Sequence, residues 1–176
     1  ERLFWGRSFR VTQDVLDPRP ETEVLIECAL AGPPPTRVLD LGTGTAVLAI
    51  AIAKVEHLPV IATDIDPVAV EIAAANARSN GVGQEVRCIV ADGMTARLLD
   101  EEAPYDLVVA NILASALDAL APLLAARVEA GGRIALSGIL AGQEPALLDR
   151  YAAWFDALSV AQREDWIRIE GVRRAD

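Results

Sequence analysis

Histidine occurs once in this chain of 176 residues, at His57, and cysteine twice, at Cys28 and Cys88. A metal centre needs several such side chains at short spacings, so no metal site is expected. The two cysteines lie far apart and are expected as reduced, buried thiols of a cytoplasmic protein. No run of eighteen or more apolar residues occurs, which excludes a membrane-spanning helix. The start, E-R-L-F-W-G-R-S-F, lacks the basic-then-apolar order of a signal peptide. It also lacks an initiator Met, as expected of a fragment or a trimmed chain. Bases are scarce, 16 against 26 acids, for a net charge of −10. Such a surface repels phosphate backbones and gives no footprint for nucleic acid. It suits a basic partner, or serves solubility alone.

Apolar residues make up 52% of the chain, which excludes disorder. The length suits one α/β domain with a real core. The hinge is Gly32-Pro33-Pro34-Pro35, after a helix expected over Glu21–Ala31, with Pro18 and Pro20 excluding helix before it. Strands are then expected at Arg37–Leu41, Val60–Asp64, Glu85–Ala91, Tyr105–Asn111, Arg133–Gly138, Phe155–Gln162 and Asp165–Gly171. Helical patterns fall at Val47–Val55, Pro67–Asn80, Ala114–Val128 and Gly142–Trp154. Asp66-Pro67 reads as an N-cap with proline in first place, and Asn80-Gly81 as a left-handed stop. The early strands are almost wholly apolar, as in a sheet covered on both faces. The fold expected is a Rossmann-like, doubly wound, mostly parallel seven-stranded sheet. The last two segments, joined at Arg163-Glu164, should pair antiparallel at one edge.

In such a sheet ligands bind where the strands end. The stretch V-L-D-L-G-T-G-T-A (38–46) is a strand, a tight turn and a helix start. Gly42 and Gly44 let the backbone bend and approach a ligand, and the helix after them turns free N–H groups toward it. Asp64 follows Gly44 by twenty residues, ends the second strand, and suits two adjacent ribose hydroxyls. Asp92-Gly93 follows the third strand and suits an adenine amine, though Asp-Gly is also a plain turn. Asn111 ends the fourth. A dinucleotide site needs a small residue at the sixth place of G-x-G-x-x-G, and that place holds Val47.

The turn D-x-G-x-G-T instead resembles the first motif of the S-adenosylmethionine-dependent methyltransferases. From about Val38 to Gly171 the chain looks like the PrmA family, which methylates ribosomal protein 11 of the large subunit. The matching pieces are L-A-I-A-I-A-K (48–54), D-I-D-P-V-A-V (64–70), A-N-I-L-A (110–114), L-A-P-L-L (120–124), G-G-R-I-A-L-S-G-I-L (131–140) and R-E-D-W-I-R-I-E-G (163–171). The front end, F-W-G-R-S-F-R-V-T-Q-D-V-L-D-P-R-P-E-T-E (4–23), is similar to the HemK or PrmC family, which methylates a glutamine of peptide-release factors. That family's Asn-Pro-Pro-Tyr is here Asn111-Ile112-Leu113-Ala114, PrmA's glycine- and histidine-rich covering loop is missing, and neither family's N-terminal recognition domain is found.

The resemblance implies S-adenosylmethionine as cofactor, held by Asp40, Gly42, Thr43, Gly44, Asp64, Ile65, Asp92, Gly93 and Asn111. It implies residues 1–35 as a cofactor-covering segment and helix, and 36–176 as the catalytic domain. The partner implied is a ribosomal protein or a release factor. Methyl transfer to nitrogen requires the acceptor's lone pair to be aimed. The Asn111 amide and the Ile112 carbonyl are suited to accept its N–H bonds. A strand-end Asn also serves as a helix cap. Trp5 and Phe9 either cover the adenosine or pack on the domain. Glu21 and Glu23 are first-turn acids or part of the cofactor entrance. Trp154, Phe155 and Trp166 are expected to pack the edge strands, and His57 to lie in a solvated loop. A cofactor-binding domain without catalysis is the alternative from another class, with a nicotinamide oxidoreductase behind it.

Overall fold

The computed structural model describes residues 2–11 and 20–175, excepting the side chains of Pro20 and Glu21. The chain runs β1 (Arg2–Phe4), β2 (Arg7–Phe9), α1 (Pro20–Ala31), β3 (Val38–Leu41), α2 (Val47–Glu56), β4 (Val60–Asp64), α3 (Pro67–Ser79) and β5 (Val86–Val90). It continues through α4 (Arg97–Glu101), β6 (Tyr105–Asn111), α5 (Ala114–Ala125), β7 (Val128–Leu140), α6 (Glu144–Tyr151), β8 (Phe155–Arg163) and β9 (Trp166–Arg173). Seven strands form one sheet in the order β5-β4-β3-β6-β7-β9-β8. All pairs are parallel except those made by β9, which runs antiparallel between β7 and β8. The winding direction reverses between β3 and β6, and that reversal leaves a crevice at their carboxyl ends.

Both faces of the sheet are buried at its central strands β3, β4 and β6. One core packs Leu25, Ile26, Ile50 and Ile52 of α1 and α2 on Val38, Val60 and Val109. The other packs Leu117, Leu124, Leu147 and Tyr151 of α5 and α6 on Leu39, Val108 and Leu136. This explains the apolar early strands. The caps read from the sequence are present. Asp66 Oδ1 accepts the Val68 N–H, and Gly81 takes φ +70° after α3.

Four features differ from expectation. The antiparallel hairpin β1–β2 was not foreseen, because strands of three residues carry no periodic signal. Phe4 and Phe9 bury its inner side, edge to face at 6.5 Å, in the first core, and Trp5 packs against that core. Packing on the domain is thus what these aromatics do. The short α4 was missed as well; Leu99 anchors it and an Arg97–Glu101 ion pair spans it. The helix expected to reach Val128 stops at Ala125, and β7 starts five residues early with Val128 beside Tyr105. Gly131 and Gly132 absorb the irregularity; a Cβ at Gly132 would stand 2.9 Å from the Glu129 carbonyl. The final turn is Glu164-Asp165, one residue later than read, since Arg163 still pairs with Trp166.

Candidate functional site

The glycine turn sits at the crevice and is tied down residue by residue. Thr43 N–H donates to the Thr63 carbonyl at 2.7 Å, and Ala46 N–H to Thr43 at 2.8 Å. Gly44 N–H donates to Asp64 Oδ2 at 2.9 Å, and the Thr45 carbonyl accepts from Asn76 Nδ2 at 3.0 Å. Gly42, Gly44 and Ala46 all have positive φ. The chain must reverse within five residues, and this left-handed backbone does it. Val47, the bulky sixth residue, is buried in the first core.

Asp40 lies beneath the turn and is wholly buried. Its Oδ2 accepts from Thr43 Oγ1 at 2.6 Å and from the Ala49 N–H at 3.1 Å, while Oδ1 has no protein partner. Burial lifts its pKa to about 7, against the pull of those two hydrogen bonds and aided by the charge on Asp64. Asp40 therefore braces the turn from below, and its buried position puts it behind the ligand surface.

Asp64 is half-buried at the end of β4. Its Oδ1 accepts the Asp66 N–H at 3.0 Å and its Oδ2 the Gly44 N–H. Each carboxylate oxygen keeps a second lone pair, so a ribose diol fits without breaking either bond. Ile65 beside it is 65% exposed, an apolar side chain left open at the carboxyl edge. Asp92 is exposed, and its carbonyl accepts from Thr95 Oγ1. Gly93 takes φ +58°, and a Cβ there would press on Leu120. This donor and acceptor set fits an adenosyl group.

Asn111 lies one residue past Ala110, whose register partner in β3 is Leu41, so it stands beside the glycine turn. Its Nδ2 donates to Thr22 Oγ1 at 3.2 Å, which leaves Oδ1 as the accepting end of the amide. It does not cap α5, whose N-cap is Leu113 without a side-chain bond. Ile112 is wedged between two glycines. A Cβ on Gly42 would collide with the Ile112 side chain, and a Cβ on Gly138 with the Ile112 carbonyl. A small hollow of about 40 Å³, lined by Val24, Ser137, Trp166 and Arg168, flanks Ser137, the register partner of Asn111 in β7. A larger one of about 100 Å³ lies under α1 among Cys28, Arg133 and Glu170, away from the strand ends.

Asp40, Gly42, Thr43, Gly44, Asp64, Asn111 and Ile112 are thus brought together, with Ile65 open at the same edge. Asp92 and Gly93 follow the neighbouring strand β5. Three residues at the site were not singled out as such. Thr22 belongs to the R-P-E-T-E segment. Asn76 is a polar residue on the buried face of the apolar helix A-A-A-N-A, a detectable signal. Gly138 is legible in the sequence only as the end of an expected strand. His57 is exposed and ends α2 with φ +54°. Phe155 is buried and Trp154 half-buried, stacked by Arg150 at 5.7 Å. Glu23 is half-buried on α1, while Thr12–Arg19, most of the expected covering segment, lie outside the described residues. Among the described residues no cluster of metal-ligating side chains occurs, and no helix is long and apolar enough to cross a membrane.

Order of strands and placement of the turn define the class I methyltransferase fold. An RNA methyltransferase from Salinibacter ruber, solved in complex with S-adenosyl-L-homocysteine, superposes with a TM-score of 0.72 at 20% identity, covering 92% of this chain and 95% of that one. The ribosomal protein L11 methylase of Lactobacillus delbrueckii subsp. bulgaricus has a TM-score of 0.72 at 32% identity, covering 87% of this chain and 77% of that one. The family profile for ribosomal protein L11 methyltransferase (PrmA) matches residues 26–174. The chain belongs to that family. A ribosomal protein L11 methyltransferase of Stenotrophomonas maltophilia strain K279a is 56% identical over 141 residues. That alignment takes in 79% of this chain and 44% of the relative, so the chain spans less than half the length of that protein.

Proposed function

We propose that this chain is the catalytic domain of an S-adenosylmethionine-dependent protein N-methyltransferase whose acceptor is a large-subunit ribosomal protein. Residues 1–35 form its N-terminal segment and first helix, and 36–176 the methyl-transferring domain. The observation that carries the reading is the Asn111 amide, anchored by Thr22 beside a fully braced glycine turn, in a member of the PrmA family. Gly42, Thr43 and Gly44 form the turn that meets the amino-acid end of the cofactor, and Asp40 braces that turn from below. Asp64 accepts the ribose hydroxyls, Ile65 covers the base, and Asp92 with Gly93 takes the adenine amine.

The cofactor supplies, when bound, an electrophilic methyl group on a sulfonium. The acceptor nitrogen loses its proton to solvent and enters neutral. Asn111 Oδ1 and the Ile112 carbonyl accept its remaining N–H bonds and point its lone pair along the line of displacement. With the acceptor so oriented toward the methyl group the cofactor would supply, this chain would need no metal or strong base. A net charge of −10 suits a basic ribosomal protein and disfavours direct nucleic-acid binding, and a cytoplasmic location goes with such a substrate.

The test is Asn111→Ala. Methyl transfer to ribosomal protein L11 is expected to fall at least a thousandfold, with S-adenosylhomocysteine affinity, read by titration calorimetry, within threefold of the unaltered chain. Turnover that survives the change refutes the assignment. One observation favours a second reading: Thr22, which anchors Asn111, lies in the segment that resembles the release-factor methyltransferases. Activity on release factors and none on L11 would establish that reading, and cofactor binding without product on either would mark a non-catalytic domain.

A further inference from the structure

Asn76 is 1% exposed on α3, yet three hydrogen bonds use its amide. Its Oδ1 accepts the Arg10 N–H at 2.7 Å, and its Nδ2 donates to the Arg10 carbonyl at 3.1 Å and to the Thr45 carbonyl at 3.0 Å. The bond from Arg10 N–H fixes which end of the amide is oxygen. One helical turn on, Asn80 Nδ2 donates to the Ser8 carbonyl at 3.1 Å. Residues four apart share a helix face, and residues two apart share a strand side. Asn76 of α3 and Asn80, which caps its C-terminus, thus hold the backbone at and just past β2, at Arg10 and Ser8, and Asn76 also reaches the glycine turn. The Thr45 carbonyl falls just before α2, whose start has no side-chain cap. All three groups held by Asn76 are backbone groups, so their geometry, and not neighbouring side chains, is what it fixes.

We propose that Asn76 is a positioning residue for the glycine turn: its amide ties the exit of the N-terminal hairpin to the Thr45 carbonyl, so that the turn keeps its binding shape only while the hairpin is docked. The inference rests on the reading that this turn holds an adenosyl cofactor. A polar side chain with no such task would be replaceable by an apolar one at little cost in affinity.

The experiment uses the full chain with Asn76→Ala, Asn76→Asp and Asn80→Ala, read by hydrogen exchange and by S-adenosylhomocysteine titration. Asn76→Ala is expected to raise exchange at the Gly44 and Ala46 amides at least tenfold and to weaken S-adenosylhomocysteine about tenfold, with kcat at saturating cofactor within threefold. Asn76→Asp keeps the acceptor for Arg10 N–H and loses both donors, so it loosens the turn while β1–β2 stays protected. It is also the variant to read if Asn76→Ala does not fold. Asn80→Ala, which removes one bond to the Ser8 carbonyl, is expected to loosen the hairpin first and the turn less. A lowered melting temperature with S-adenosylhomocysteine affinity within twofold and unchanged exchange at Gly44 and Ala46 overturns the proposal. If the unaltered chain ignores S-adenosylhomocysteine, the cofactor reading falls, while exchange at Gly44 and Ala46 still decides whether Asn76 sets the turn.

Discussion

The two halves of the carboxyl edge are held by different means. On the β3–β4 side every residue from Thr43 to Ala46 is tied by a hydrogen bond, and Asp64 and Asn76 add side chains to the backbone ladder. On the β6–β7 side Asn111 has one side-chain anchor, and Ile112 is placed by the missing side chains of Gly42 and Gly138. The first half spreads its hold over several bonds, so losing one loosens the turn in part without displacing it outright. The second depends on clearance, where a single methyl group is enough to displace Ile112, whose carbonyl is proposed to help aim the acceptor.

The largest effect is therefore expected at Gly138→Ala. The position has φ +81°, and the new Cβ meets the Ile112 backbone, which has no rotamer with which to yield. Left-handed backbone costs about 1–2 kcal/mol for an L residue, and overpacking about 1–3 kcal/mol more. Urea unfolding should show a loss of about 3 kcal/mol, and a loss below about 1 kcal/mol would break the contrast. Next comes Asp64→Ala, the acid that serves both the turn and the proposed ribose contact. It should weaken S-adenosylhomocysteine about a hundredfold by calorimetry, or about 2.8 kcal/mol. Asp64→Asn, which keeps one acceptor oxygen, should recover part of that.

The same division governs what could be read in advance. Asp40, Gly42, Gly44 and Asp64 lie within twenty-five residues of one another, and the chemistry of a strand, a glycine turn and a strand-end acid is local. The bond between Thr22 and Asn111 joins residues 89 apart, and no spacing rule predicts it. Gly138 sits inside a strand whose apolar pattern is legible, but its use emerges only when β6 and β7 stand side by side. Pattern likewise located the sheet and its helices while missing the β1–β2 hairpin. Two three-residue strands gain their stability from Phe4 and Phe9 in a distant core, not from their own sequence.

Asp40 offers a third probe, on the hydrogen-bonded half. Its pKa in the folded chain, raised to about 7 by burial, lies above the ordinary carboxylate value of the unfolded chain. Between those values the folded protein holds a proton that the unfolded chain has released. This contribution is full at low pH and is lost as pH rises through about 7. Melting temperatures of Asp40→Asn should lack that decline between about pH 4 and pH 7. An identical slope in the variant would assign the decline to another group.

The smallest effect is expected where the hydrogen-bonded half already carries a methyl in a left-handed position. Ala46 has φ +65° and is fully buried. In Ala46→Gly, relief of about 1–2 kcal/mol of backbone strain is offset by about 0.8 kcal/mol for the lost methyl burial and about 0.4–1 kcal/mol for the freer unfolded chain. The melting temperature should move by no more than about 4 °C, near 1 kcal/mol for a chain of this size. S-adenosylhomocysteine affinity should stay within threefold, because the methyl is packed into the α1–α3 core and not toward the ligand side. The same one-carbon difference that disables Gly138 is thus expected to pass almost unnoticed at Ala46. A large gain in affinity at Ala46→Gly would mean that this methyl does reach the cofactor surface, and the line between the bonded half and the clearance half would have to be redrawn through the turn itself.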